Sequence, residues 1–132
     1  MAEPKYLEDQ AYRCLRVEDI DGYHLAVINR REVDFSDANL RSVDLRKADL
    51  ERVVLRGAYL RDADLRGCDL RHMDLEGASL HNAKVAGAYF PENVSPEEIQ
   101  MSLVHGTRIR TDPLRKGPDT EASEAEEGPP AL

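Results

Sequence analysis

"LRGAYLRDADLRGCDLRHMDLEGASL", residues 55–80, carries leucine at every fifth position from Leu55 to Leu80. A helix repeats its apolar face about every 3.6 residues and a strand about every 2, so a period of five fits neither. Extended outward, the register runs without a break from Phe35 to Phe90. Its twelve centres are Phe35, Leu40, Leu45, Leu50, Leu55, Leu60, Leu65, Leu70, Leu75, Leu80, Val85 and Phe90, all large and apolar. Two places before each centre stands a small or apolar residue, from Val33 and Ala38 to Ala83 and Ala88. The residue just before the centre is Asp or Asn in seven of the twelve: Asp34, Asn39, Asp44, Asp49, Asp64, Asp69 and Asp74. Two inward side chains per five residues require a chain that turns after each short extended piece. Gly57, Gly67, Gly77, Gly87 and Asn82 fall two places after a centre, where a type II turn needs φ > 0.

The quintet A(D/N)LXX, seen in "ADLRGCDLRHMDL" and "SDANLRSVDLRKADL", resembles that of the pentapeptide-repeat family over residues 31–92. The resemblance implies an all-β solenoid: a right-handed quadrilateral β-helix of about three regular coils, plus a degenerate N-terminal coil, with a C-terminal capping α-helix. Residues twenty apart then stack ~4.8 Å apart. The stacks Phe35/Leu55/Leu75, Leu40/Leu60/Leu80, Leu45/Leu65/Val85 and Leu50/Leu70/Phe90 fill the interior. Val33, Val53 and Met73, the largest residues of the small column, also stack together. In this family Asp and Asn oxygens bond nearby backbone N–H groups, so the acidic column reads as turn chemistry.

The 132 residues carry a net charge of −8, but its distribution is uneven. Residues 1–30 give 4 − 6 = −2, residues 31–92 give 10 − 12 = −2, residues 93–116 give 4 − 3 = +1 and residues 117–132 give 0 − 5 = −5. Residues 112–132 are therefore expected to be a disordered acidic tail, serving either solubility or recognition. Cys14 and Cys68 are too few and too far apart for a disulfide framework or a metal cluster. No basic-then-apolar leader and no apolar run of ~20 residues occurs, so a cytoplasmic location is expected.

The ends of a solenoid need covering. Leu15, Ile20 and Leu25 keep the five-residue spacing, so residues 11–30 read as a degenerate coil or capping strand within an N-terminal cap of residues 1–30. Tyr6, Leu7 and Tyr12 are expected to help cover that end. Residues 93–111 read as a C-terminal helix cap and short strand. Ser95 is the N-cap, Pro96 the first helical residue, Glu98 the partner in a capping box, and Gly106 the stop. Ile99, Leu103 and Val104 form a stripe expected near Tyr89 and Phe90, as a cap or as a cap that also makes a homodimer contact. "TRIR" (107–110) is expected to return along the prism as a strand.

No catalytic, cofactor-binding or metal site is expected, and no enzyme activity. Cys68 reads as a buried thiol, and His72 as part of a surface stack with Arg52 and Glu92. The faces carry unequal charge, with an acidic side at Asp34, Asp37, Asp74 and Glu76 and a basic one at Arg46, Lys47, Arg66 and Lys84. Glu51 is expected to pair with Arg71, and Arg56 with Glu76. The candidate partner surface is Val54, Tyr59 and Tyr89, which replace Asp in the column, with the arginine belt Arg56, Arg61, Arg66 and Arg71.

These features point to a non-enzymatic protein-interaction or scaffold module of bacterial type with an unidentified protein partner and no membrane association. The alternative is a DNA-mimic inhibitor or protector of DNA gyrase, as in relatives. Over ~14 Å duplex DNA would show about eight negative charges, against −2 for the whole repeat block. Nucleic-acid binding on the basic face is a third reading, though no aromatics interleave with those residues.

Overall fold

Residues twenty apart pair along this chain. The computed structural model describes residues 4–115; the acidic stretch 117–132 lies outside them. Val33–Asp34 (β1) runs parallel to Val53–Val54 (β2), with Val33 opposite Val53. Single parallel bridges repeat the step from Asn39 to Tyr59 to Ser79, from Asp44 to Asp64 to Lys84, and from Asp69 to Tyr89. The strands are this short because a turn intervenes every five residues. Each centre's carbonyl from Phe35 to Val85 accepts the N–H three residues on, at 2.8–3.3 Å. Four such turns per twenty residues wind the chain into a β-helix solenoid. Its faces are residues 33–37, 38–42, 43–47 and 48–52 and the segments twenty and forty further on, called faces one to four.

The five-residue period translates directly into this geometry. Gly57, Gly67, Gly77 and Gly87 hold φ of 72–79°, and Asn82 holds 60°. Asp37, Ser42 and Asp62 adopt the same left-handed region, which the sequence did not single out. The corner after face four, at Arg52, His72 and Glu92, turns without positive φ. All seven Asp and Asn side chains of the acidic column accept the N–H two residues on, at 2.9–3.2 Å. Each thus satisfies a turn donor that the short strands leave over. The centres from Phe35 to Leu80 are buried, as are Val33, Val53 and Met73 beside them. Each buried leucine contributes ~1.5–3 kcal/mol relative to exposure.

The N-terminal end departs from the expected coil. Residues 11–30 hold two helices, Gln10–Arg16 (α1) and Ile20–Val27 (α2). Asp9 caps α1, its Oδ1 accepting the Ala11 N–H at 2.7 Å, and Asp19 caps α2 through the Gly22 N–H at 2.9 Å. The five-residue spacing of Leu15, Ile20 and Leu25 was coincidental, since Leu25 is 73% exposed. The buried set is instead Ala11, Tyr12, Cys14 and Leu15 on α1, and Tyr23 and Val27 on α2. Those are helical spacings. Of the expected covering residues, Tyr12 is buried and Leu7 packs on the core. Tyr6 is exposed, and its hydroxyl accepts a bond from Asn39 at 2.9 Å.

Downstream, Pro96–His105 (α3) begins at Ser95, whose hydroxyl accepts the Glu98 N–H at 3.1 Å, and ends at Gly106 with φ 75°. The capping box is not closed. The Glu98 carboxylate turns away to accept the Arg110 N–H and guanidinium at 2.8–3.2 Å. The 107–110 stretch supplies one antiparallel bridge, Arg108 to Ser79, and its Ile109 is buried. Residues 112–115 form a turn closed by Arg115 N–H on the Asp112 carbonyl, 3.1 Å, so the expected disordered tail does not begin at 112.

Candidate interaction surface

The aspartates that serve the turns also bind arginine. Asp44, Asp64 and Asp69 are each clasped through both oxygens by the arginine two residues on: Arg46, Arg66 and Arg71, at 2.7–3.0 Å. Arg46 also reaches Asp64 in the coil above, at 3.2 Å. These clasps lower the Asp44, Asp64 and Asp69 carboxyls below the usual range, chiefly by the hydrogen bond each takes from its own arginine.

The arginine belt is therefore not a free cationic patch. Arg66 and Arg71 are held by Asp64 and Asp69. Arg56 pairs with Asp74 at 2.7 Å rather than with the expected Glu76, whose carboxylate instead accepts the Thr111 N–H and hydroxyl at 2.9 and 2.8 Å. The expected Glu51–Arg71 pair is likewise replaced by the Asp69 clasp. Arg61 is looser, with its Nε 3.8 Å from Asp62. A carboxylate two residues before an arginine in an extended quintet reaches it directly, and that spacing was the available signal.

Val54 lies half-buried in β2, beside a groove of about 290 Å³ that also takes in His72, Met73 and Asp74. Tyr59 is half-buried and bridges Asn39 and Ser79. Tyr89 is 56% exposed, with the Arg71 guanidinium 4.7 Å from its ring centroid. That distance is a cation–π contact. Val54, Tyr59 and Tyr89 therefore do not form one patch of equally outward side chains. On α3, Ile99 and Leu103 are half-buried against the core, while Val104 is 52% exposed. The helix is bonded to face two rather than to the 89–90 segment: Ser102 Oγ accepts the Leu80 N–H at 2.8 Å, and the Leu103 carbonyl accepts the Asn82 N–H at 3.0 Å.

Cys68 is buried, its thiol donating to the Leu45 carbonyl at 3.5 Å and pushed up in pKa by burial. His72 is exposed, with its ring Nε2 3.2 Å from the Leu50 carbonyl. Among the described residues no group of three or more His, Cys, Asp or Glu side chains converges as metal ligands. No described helix is long and apolar enough to cross a membrane.

A β-helix whose every fifth residue is an inward leucine and whose acidic column caps its own turns defines a narrow class of solenoid. The family model described as Pentapeptide repeats matches residues 31–57 and 58–91, in eight copies, and this repeat block belongs to that family. No curated protein matches it.

Proposed function

We propose that this chain is a non-enzymatic protein-interaction module: a right-handed, four-sided β-helix of about three coils, with helices packed at both ends, that binds an unidentified protein partner in the cytoplasm. The observation that supports this most is the use made of the polar column. Asp44, Asp64 and Asp69 are committed to turn N–H groups and to arginines, so the faces present fixed, locally neutralised pairs on a rigid frame. Exposed pairs of this kind contribute little to stability, ~0–1 kcal/mol each. They do fix the pattern of charge that a partner meets.

The same pairing weighs against mimicry of duplex DNA, which would need rows of free carboxylates. It weighs equally against a nucleic-acid site, since the arginines of the basic face are engaged. The test is affinity capture on the full chain followed by reciprocal binding of the purified partner. A partner bound in a defined ratio supports the reading. Inhibition of gyrase supercoiling, or a salt-sensitive DNA gel shift without any protein partner, would replace it.

A further inference from the structure

Faces two and three of the second coil each send three backbone groups to the coil above, as face two of the first coil does. Face two shows the pattern: Ala38 carbonyl accepts Tyr59 N–H at 2.9 Å, while Leu40 and Ser42 N–H reach the Tyr59 and Arg61 carbonyls at 2.8 Å. Face three repeats it between Ala63, Leu65, Gly67 and the 84–86 segment at 2.8–3.0 Å. In the last coil, the three groups of face two are met from within the chain. Ala78 carbonyl accepts Ile109 N–H, Leu80 N–H goes to Ser102 Oγ, and Asn82 N–H goes to the Leu103 carbonyl.

Faces three and four of that coil differ. The Ala83 and Ala88 carbonyls and the Val85, Gly87 and Phe90 N–H groups have no partner among the described residues. Val85 and Phe90 are only half-buried, whereas Leu65 and Leu70 beneath them are wholly buried. Unpaired edge groups beside incompletely covered apolar side chains are a template for an added strand.

We propose that this edge, and its face-three segment 83–87 above all, docks an extended segment of a partner protein with an apolar–acidic–apolar pattern. The alternation follows from the coil, where positions 83 and 85 point in and 84 points out. The acidic residue follows from charge. Lys84 stands over Asp64, whose carboxylate Arg66 and Arg46 already hold, and among the described residues Lys84 has no ion pair. An inward apolar residue would complete the cover on Val85. The end of a second solenoid does not fit this strip. α3 sits on face two of the same coil and is ~10 Å across, while strand pairing needs ~4.8 Å. A single extended segment lies beside the helix; a flat coil end is held off by it.

This deepens the interaction-module reading and rests on it. The test selects short random peptides from a displayed library on the full chain, and follows amide hydrogen exchange at Val85 and Gly87. The expected result is selected peptides sharing the apolar–acidic–apolar pattern, with both amides slowed on binding. Lys84→Glu should weaken them roughly two- to fivefold, the range of an exposed ion pair, and replacing the acidic residue by lysine should restore binding. Three results overturn the strip: no selected peptide, peptides that leave these amides exchanging freely, or amides already slow in the chain alone because its own tail or a second copy covers them. A natural partner that binds tightly while these amides stay unprotected also overturns it, and leaves the module reading standing.

Discussion

The two ends of the solenoid are covered by different means and to different extents. At the N-terminal end, side chains of α1 and α2 bond the first coil's backbone on faces two and four. Tyr12 Oη donates to the Asn39 carbonyl, Arg16 to the Arg41 carbonyl at 2.8 Å, Tyr23 Oη to the Asp49 carbonyl at 2.8 Å, and His24 Nε2 accepts the Asp49 N–H at 3.1 Å. All four centres of that coil are buried. At the C-terminal end a returning strand and α3 cover faces one and two, and Val85 and Phe90 stay half-covered. A helical lid with long polar side chains buries all four centres of the coil it covers, although a cavity of about 210 Å³ remains between Leu15, Glu18 and Ile20 and face three at Asp44, Arg46 and Lys47. A single strap closes only the side it lies on, and the remaining side is left as a usable edge.

The largest test of this contrast is truncation of one aromatic at each end. Tyr23→Ala should cost ~3–5 kcal/mol, as for other buried aromatics, and Phe90→Ala distinctly less, both read from urea unfolding midpoints. Equal losses would erase the distinction between the ends. Next, Ile109→Ala should cost ~2–5 kcal/mol because this residue plugs the covered half of the last coil. Val104→Ala on the outer side of α3 should stay within ~0.5 kcal/mol.

Two smaller effects sharpen the N-terminal side. Asp9 caps α1 and is clasped by Arg30 at 2.7 Å, a bond that lowers its carboxyl pKa. Asp9→Ala should cost ~1 kcal/mol through the cap alone. Its pKa is depressed in the fold, so its ionic contribution is present above the ordinary carboxylate range and fades as pH falls through the lowered value. Tyr23 behaves oppositely. Burial pushes its hydroxyl up to about 12 from an ordinary 10. The contribution is complete below pH 10 and is lost as pH rises toward 12. Tyr23→Phe should flatten the stability profile in that window, with unfolding followed by circular dichroism.

The middle of the molecule was legible because one residue type recurs at one place per turn. Inward leucines, turn glycines and capping aspartates each report the same twenty-residue coil, and the structure keeps every one of those assignments. The N-terminal helices were not legible by that rule. Leu15, Ile20 and Leu25 imitate the repeat, and only the caps Asp9 and Asp19 and the helical pair Tyr23 and Val27 reveal the change of period. The candidate surface was harder still. The arginine belt was visible as positive charge, but its neutralisation depends on which carboxylate each guanidinium reaches. Arg56 chose Asp74, and Arg71 chose Asp69. The open edge at Val85 and Gly87 depends on where α3 comes to rest, which local sequence does not encode.

Residue-resolved hydrogen exchange on the free, full-length chain distinguishes an open last coil from a covered one. Slow exchange is expected at Leu40, Leu60 and Leu65, whose N–H groups bond the coil above, and at Leu80 and Asn82 under α3. Fast exchange is expected at Val85, Gly87 and Phe90, and that contrast marks the open edge. Uniform protection across the last coil would contradict it, because both ends would then be closed.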